Sequence, residues 1–214
     1  MASKPVIKGN VRLGGNAAIG EFVILGEQST KTKNLSPLVI GRNARIRSHS
    51  VIYAGNRIGD DFQTGHHVLV RENNVIGKNV SIGSGSDVGR ENRIGDGVRI
   101  HSSCFIPEYV TIEKTAWLGP RVTILNILHP PCPKFEDCAK GIVIRENAKI
   151  GGSVTIGPGV KIGRNSVIGS GAVVMKSIPD DSVAVGNPAR VIKKVRELEC
   201  KPGFFKVPYE WENR

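Results

Sequence analysis

The sequence predicts an all-β fold, a parallel β-helix of triangular section, and three observations support this. An aliphatic residue recurs at every sixth position through most of the 214 residues. The chain holds 26 glycines, but only 6 Phe, 3 Tyr and 2 Trp. The glycines do not recur at every third position, which excludes collagen, and the even spread of aliphatic residues excludes a disordered chain.

The aliphatic residues form three trains with a six-residue step. The first train is Ile7, Leu13, Ile19 and Leu25; the second runs from Ile40 to Ile124 and the third from Ile144 to Val174. Of these 25 positions, Thr64 alone is not Ile, Leu or Val. A period of six fits neither an α-helix nor a long alternating strand, but it fits a short strand followed by a tight corner.

Three strands and three corners make one coil of 18 residues, with the aliphatic side chains inside and glycine at many corners. The trains therefore predict about eight coils within residues 1–187, a prism roughly 40 Å long at the usual strand spacing. Asn56, Asn74 and Asn92 are 18 residues apart. They are expected to stack as a structural ladder at one corner.

Two insertions interrupt the period, at about residues 26–38 and 125–143. The second is rich in proline and contains Asn126, His129, Cys132 and Cys138. Long loops on a rigid scaffold usually carry function, so the second insertion is the first place to seek a site.

The C-terminal unit, residues 188–214, is expected to close the open end of the prism. Pro188 suits the first turn of a helix with Asn187 as its cap, which predicts a short α-helix over residues 188–199. The tail beyond it, which carries Phe204, Phe205, Tyr209 and Trp211, is expected to pack on the prism or on a neighbouring subunit.

Charge and composition narrow the partners. The net charge of +11 and the pI near 9.8 indicate anionic partners, yet the basic residues are scattered, which disfavours nucleic acid. No apolar run is long enough for membrane insertion and the start lacks a signal segment, so a cytoplasmic protein is expected. Cys132, Cys138 and Cys200 are compatible with free thiols, a bridge or a metal cluster with His129.

At this point the chain resembles the hexapeptide-repeat acyltransferases. The run Leu118–Ile124 followed by His129-Pro130 is similar to the galactoside and maltose acetyltransferases, and the ending Gly169–Ile192 is similar to many members. The coil at Asn74–Gly77 and the Asn126 step also resemble N-acetyltransferases of nucleotide-linked sugars. The resemblance implies a left-handed β-helix and a homotrimer, with acyl-CoA in the groove between adjacent prisms.

The resemblance also implies site residues. Transfer from a thioester needs a general base near the acceptor, and histidine is the usual choice. His129 matches the family's catalytic position, with His67, His66 and Asn126 as further catalytic candidates. Acetyl-CoA is expected as co-substrate, bound by Gly151, Gly169, Lys176, Arg190 and Lys193, and no metal is expected.

The predicted function is acetylation of an amino or hydroxyl group on a sugar or nucleotide-linked amino sugar, by direct transfer. Two alternatives stay open. One is a γ-class carbonic anhydrase, for which His66 or His67 and His101 have nearly suitable separation, although Ile106 stands where a third ligand is needed. The other is a non-catalytic scaffold, since solenoids also make binding surfaces.

Overall fold

The computed structural model describes residues 4–205 and 208–209, so that Trp211 lies outside the described residues. Within them the chain winds through 27 short strands, most of two residues. In chain order they are β1 (Val6–Ile7), β2 (Val11–Leu13), β3 (Ala18–Ile19), β4 (Ile24–Glu27), β5 (Leu38–Ile40), β6 (Arg45–Ile46), β7 (Val51–Tyr53), β8 (Arg57–Ile58), β9 (Gln63–Thr64), β10 (Leu69–Val70), β11 (Val75–Ile76), β12 (Ser81–Ile82), β13 (Asp87–Val88), β14 (Arg93–Ile94), β15 (Arg99–Ile100), β16 (Phe105–Ile106), β17 (Thr111–Ile112), β18 (Trp117–Leu118), β19 (Thr123–Ile124), β20 (Val143–Ile144), β21 (Lys149–Ile150), β22 (Thr155–Ile156), β23 (Lys161–Ile162), β24 (Val167–Ile168), β25 (Val173–Val174), β26 (Ser182–Val185) and β27 (Arg190–Lys194).

Successive strands belong to three different sheets, as the hexad pattern predicts. The first sheet contains β1 and every third strand to β25, the second runs from β2 to β23, and the third from β3 to β27. All strand pairs are parallel except β26 with β27. The predicted fold class, an all-β left-handed parallel β-helix, is confirmed, with nine strands in the first sheet.

We name the three edges of the prism by the sheets they join. The first corner lies between the first and second sheets, the second corner between the second and third, and the third corner between the third and first. Pairs of residues 18 apart lie one above the other, as in the register of Val75 with Arg57 and of Val75 with Arg93.

The aliphatic trains form the core. From Leu25 to Val174 every train residue is buried, including Thr64. Ile7 and Leu13 are exposed and Ile19 is half-buried, because they belong to the first coil, which has no coil below it.

The coil that contains Thr64 also contains Phe62, which is fully buried although large rings are rare in this chain. Ala44, Val80 and Val98 occupy the equivalent position in neighbouring coils. The larger ring therefore fills the volume that a threonine leaves in place of isoleucine, as close packing requires. The Thr64 hydroxyl is satisfied by the backbone N–H of Arg47, at 3.0 Å.

The predicted asparagine ladder is confirmed. The Asn56 Oδ1 accepts both the backbone N–H and the side-chain amide of Asn74, at 2.8 and 3.0 Å, and the Asn74 Oδ1 accepts the backbone N–H of Asn92 at 2.8 Å. All three side chains are buried at the first corner. The first insertion packs against the same corner, where the Thr32 hydroxyl donates to the fully buried Glu72 carboxylate at 3.1 Å.

The predicted helix over residues 188–199 is wrong. β27 (Arg190–Lys194) runs antiparallel to β26, and a 3-10 turn follows at Val195–Glu197. The hairpin turns at Gly186, whose φ of +99° is open to glycine, and at a cis Asn187-Pro188 bond. The β-branched pair Val191 and Ile192 suits an edge strand, so the third sheet continues across the expected boundary at residue 187. The one α-helix of the described residues, α1 (Phe135–Cys138), lies in the second insertion.

Candidate active site

The second insertion leaves the prism at the first corner, directly after β19. At this corner the 18-residue coil stacks a column of polar side chains, which are Glu72, Arg90, Glu108 and Asn126. After the insertion the column continues to Lys176, which is exposed and two strand spacings, about 10 Å, beyond Asn126.

Asn126 closes the base of the insertion. Its side chain is only 8% exposed, and its amide nitrogen donates to the Glu108 carboxylate at 3.0 Å. Its backbone carbonyl accepts the N–H of Lys140 at 2.7 Å, which brings the two ends of the insertion together. The side chain of Asn126 therefore holds the corner from which the insertion starts.

His129 lies three residues beyond Asn126 and is exposed on the insertion. Pro130 and Pro131 follow it, joined by a cis peptide bond. The structure thus brings His129 and Asn126 to one corner, as the sequence predicts for two members of one site.

The far side of the insertion is fastened to the prism through α1. The Glu136 carboxylate pairs with the Arg90 guanidinium and accepts a hydrogen bond from the Tyr109 hydroxyl. Burial, together with that hydrogen bond, raises the pKa of Tyr109 to about 12. The same hydrogen bond, followed by the charge of Arg90, lowers the pKa of Glu136.

The two cysteines of the insertion are bonded to each other, since Cys132 and Cys138 form a disulfide. Cys104 and Cys200 are free. No group of three or more His, Cys, Asp or Glu side chains among the described residues is arranged to hold a metal ion.

Sequence reasoning missed Asp87, which faces outward from β13 near the same corner. Burial raises the pKa of Asp87, the nearby Glu108 carboxylate raises it further, and the Arg71 guanidinium acts in the opposite direction. Asp87 stands in register between Leu69 and Phe105. A carboxylate between two apolar neighbours 18 residues away on either side was the available signal.

The two predicted glycines, Gly151 and Gly169, line a second feature, a groove of about 450 Å³ on the third sheet. Trp117, Lys149 and Tyr209 also line it, and the Lys149 Nζ lies 5.9 Å from the centre of the Tyr209 ring. A Cβ at Gly151 would lie 2.5 Å from the backbone nitrogen of Ser170, so close contact between coils requires glycine there. These glycines therefore have a structural role beside any binding role.

The predicted cationic residues lie apart from this groove. Arg190 and Lys193 are on β27, where they pair with Val185 and Val183, and Lys176 is at the first corner. None of the three is among the described residues that line the groove.

His66 and His67 follow β9 at the third corner, not at the corner of Asn126 and His129. The His67 ring stacks on that of His49 at 4.6 Å between centroids, and the Ser48 hydroxyl lies 2.9 Å from the His66 Nδ1. Five strand spacings of the third sheet, about 24 Å, separate β9 from β24 beside the groove. One chain therefore does not bring these histidines together with His129.

Comparison with known proteins supports the class that the coils define. Residues 141–176 match the family model of the bacterial transferase hexapeptide (six repeats). A galactoside O-acetyltransferase of Lactococcus lactis is 40% identical over 87 residues, 39% of this chain and 42% of that protein. A galactoside O-acetyltransferase of Escherichia coli is 39% identical over 101 residues, 45% of this chain and 49% of that protein.

Solved structures agree on the fold. An Arabidopsis UDP-N-acetylglucosamine acyltransferase covers 94% of this chain and 76% of its own, with a TM-score of 0.50 and 17% identity. A maltose O-acetyltransferase of Clostridium difficile is 33% identical, covering 55% of this chain and 67% of its own, with a TM-score of 0.49. The chain belongs to the hexapeptide-repeat acyltransferase family. It spans about half the length of the curated relatives it matches. No helix of the described residues is long and apolar enough to cross a membrane.

Proposed function

We propose that the protein is an acyl-CoA-dependent transferase that acetylates an amino or hydroxyl group of a sugar or nucleotide-linked amino sugar. The observation that carries the proposal is the second insertion, which presents His129 beside Asn126 at the first corner of a hexapeptide-repeat prism. The naming of two relatives as galactoside O-acetyltransferases supports a sugar acceptor.

In the proposed reaction, an imidazole nitrogen of His129 removes the proton from the acceptor hydroxyl or amine as that group attacks the thioester carbonyl. The tetrahedral intermediate then collapses, the carbon–sulfur bond breaks, and coenzyme A leaves as a thiolate that takes up a proton. Because His129 is exposed, an acceptor has access to it. A general base of this kind typically contributes 10²- to 10⁴-fold to the rate.

Asn126 is a positioning residue in this scheme. Its amide is engaged by Glu108 and its carbonyl by Lys140. It therefore fixes both ends of the insertion that carries the base.

We place acetyl-CoA in the groove at Gly151 and Gly169, with Lys176, Arg190 and Lys193 contributing positive charge toward its phosphates. The groove lies at the third sheet whereas His129 lies at the first corner, so the two halves of the site are on different sides of one prism. A homotrimer in which neighbouring prisms pair these two sides would complete the site. His66 and His67 then belong to the acceptor side only if a partner brings them near.

The test is release of coenzyme A from acetyl-CoA by the purified full chain, across galactosides, amino sugars and nucleotide-linked amino sugars. The proposal predicts acceptor-dependent release with at least one class and mass spectrometry showing one acetyl group on that acceptor. Hydrolysis without acceptor, or no release with any of the three classes, would contradict it.

A further inference from the structure

The disulfide in the second insertion ties the segment that carries His129 to the part of the loop that is anchored on the prism. Cys138 is the last residue of α1, and α1 is fastened through Glu136 to Arg90 and Tyr109. Cys132 is three residues beyond His129. The sulfur–sulfur bond is therefore a covalent link between the His129 segment and the anchored helix.

The chain between His129 and Cys132 transmits that link with little slack. Pro130, Pro131 and Pro133 restrict the backbone here, because a proline ring fixes its own φ and limits the residue before it. A constraint at Cys132 is thus passed to His129 rather than absorbed by free rotation between them.

We propose that Cys132 and Cys138 form a reversible redox switch that holds His129 in place when oxidised and releases it when reduced. This inference rests on the proposed function for its effect on turnover, but not for its effect on the loop. Without the bond, the His129 segment keeps its attachment at Asn126 and Lys140 and loses its direct tie to α1.

The chemistry needs only a small-molecule disulfide of the glutathione class. A thiolate of one cysteine attacks glutathione disulfide, breaks its sulfur–sulfur bond and releases one glutathione. The second cysteine thiolate then attacks the mixed disulfide, forms the Cys132–Cys138 bond and releases a second glutathione. Two electrons pass from the protein thiols to glutathione disulfide, and the two thiol protons end on the released glutathiones.

Both sulfurs are placed for this exchange. Cys138 is exposed and Cys132 is half-buried, whereas Cys104 is fully inside the core. Burial also raises the pKa of the Cys104 thiol, which disfavours its reactive thiolate. Exchange with a small disulfide is thus directed to the insertion rather than to the core cysteine.

The experiment compares the full chain after dithiothreitol and after excess glutathione disulfide, with two readouts. Alkylation with mass spectrometry counts free thiols, and hydrogen exchange follows residues 127–139. Oxidation should protect Cys132 and Cys138 from alkylation and slow exchange over these residues. Reduction should lower kcat/KM for acetyl transfer by roughly tenfold or more, since small misplacements of a catalytic group are costly.

Matched variants separate the causes. Cys132→Ser and Cys138→Ser should each behave like the reduced protein in both conditions, while Cys200→Ser should keep the wild-type response. Thermal melting identifies any variant that fails to fold, and the wild-type comparison then stands alone. Equal exchange over residues 127–139 in the oxidised and reduced wild type would overturn the proposal, as would persistence of both thiols in excess glutathione disulfide.

A zinc ion bound in stoichiometric amount and lost in Cys132→Ser would also overturn it, since the two sulfurs would then be metal ligands. If no acceptor is acetylated in either state, the proposed function fails, while thiol counting and exchange still decide the switch. If turnover is present but insensitive to the oxidation state, the switch fails and the function stands.

Discussion

The Asn126 side-chain amide donates a 3.0 Å hydrogen bond to the carboxylate of Glu108, which lies 18 residues earlier and one coil below. Glu108 also faces Asp87, whose pKa is raised first by burial and then by the Glu108 charge. One carboxylate therefore supports the base of the insertion and sets the electrostatics beside it. The consequence can be measured at Asp87.

Replacing Glu108 by Gln should lower the pKa of Asp87. The glutamine keeps an acceptor oxygen for Asn126 but removes the like charge that disfavours ionisation of Asp87. A carbon-13 NMR titration of the Asp87 carboxyl measures the change, with Glu113→Gln as the control. An unchanged or higher pKa at Asp87 would show that Glu108 does not act on it.

Replacing Asn74 by Ala should lower the free energy of unfolding by about 2 to 4 kcal/mol. The backbone N–H of Asn92 would lose its acceptor in a buried position, and the removed amide would leave a small void. Arg71 would keep the Asn56 amide as a donor to its carbonyl, which limits the loss. Urea unfolding measures the effect, and Val75→Ala, on the exposed side of β11, should cost far less.

Asp60 should contribute to stability in a pH-dependent way. Its carboxylate accepts the backbone N–H of Arg42 at 2.8 Å and the Arg42 guanidinium at 3.1 Å, and these contacts lower its pKa from the ordinary value of 3.8. For a lowered pKa the stabilisation is complete above 3.8 and disappears as the pH falls through the folded-state value.

Thermal melts of wild type and Asp60→Asn at decreasing pH test this sign. The wild type should melt higher than the variant at neutral pH, and the two curves should converge in acid. Glu21→Gln, at an exposed side chain, serves as the control. A gap that widens in acid would contradict the assignment.

The proposed shared site predicts complementation between defective copies. Ser170→Trp should obstruct the acetyl-CoA groove, since Ser170 is exposed and lines it, while His129→Ala removes the base. Neither homo-oligomer should be active. Unfolding and refolding the two together should restore part of the turnover, because some assembled sites then pair an intact groove with an intact His129.

Sequence alone predicted most of the fold because each coil repeats one local rule. The hexads located the strand register from Leu25 to Val174, and the 18-residue spacing located the Asn56, Asn74 and Asn92 ladder. The rule carries no information once the repeat stops. Pro188 at a hairpin was therefore read as a helix start, because a proline fixes its own φ in a turn as well as in a helix.

The candidate site was harder to predict, because outward-facing positions are free of the core pattern. The resemblance pointed to His129 and Asn126, which the structure brings to one corner. Asp87 and Glu108 were missed since their interaction arises only when coils stack. The anchoring of Glu136 by Arg90, 46 residues away, likewise depends on how the insertion folds back onto the prism.

The central claim is that His129 is the general base, and its most direct measurement is kcat/KM for acetyl transfer by His129→Ala beside His101→Ala. His101 is an exposed histidine packed on the edge of Trp117, at 4.8 Å between ring centroids, and far from the insertion in the sequence. The account predicts a loss of roughly 100-fold or more for His129→Ala, with unchanged melting, and near-wild-type activity for His101→Ala. Full acetyl transfer by a folded His129→Ala protein would contradict it.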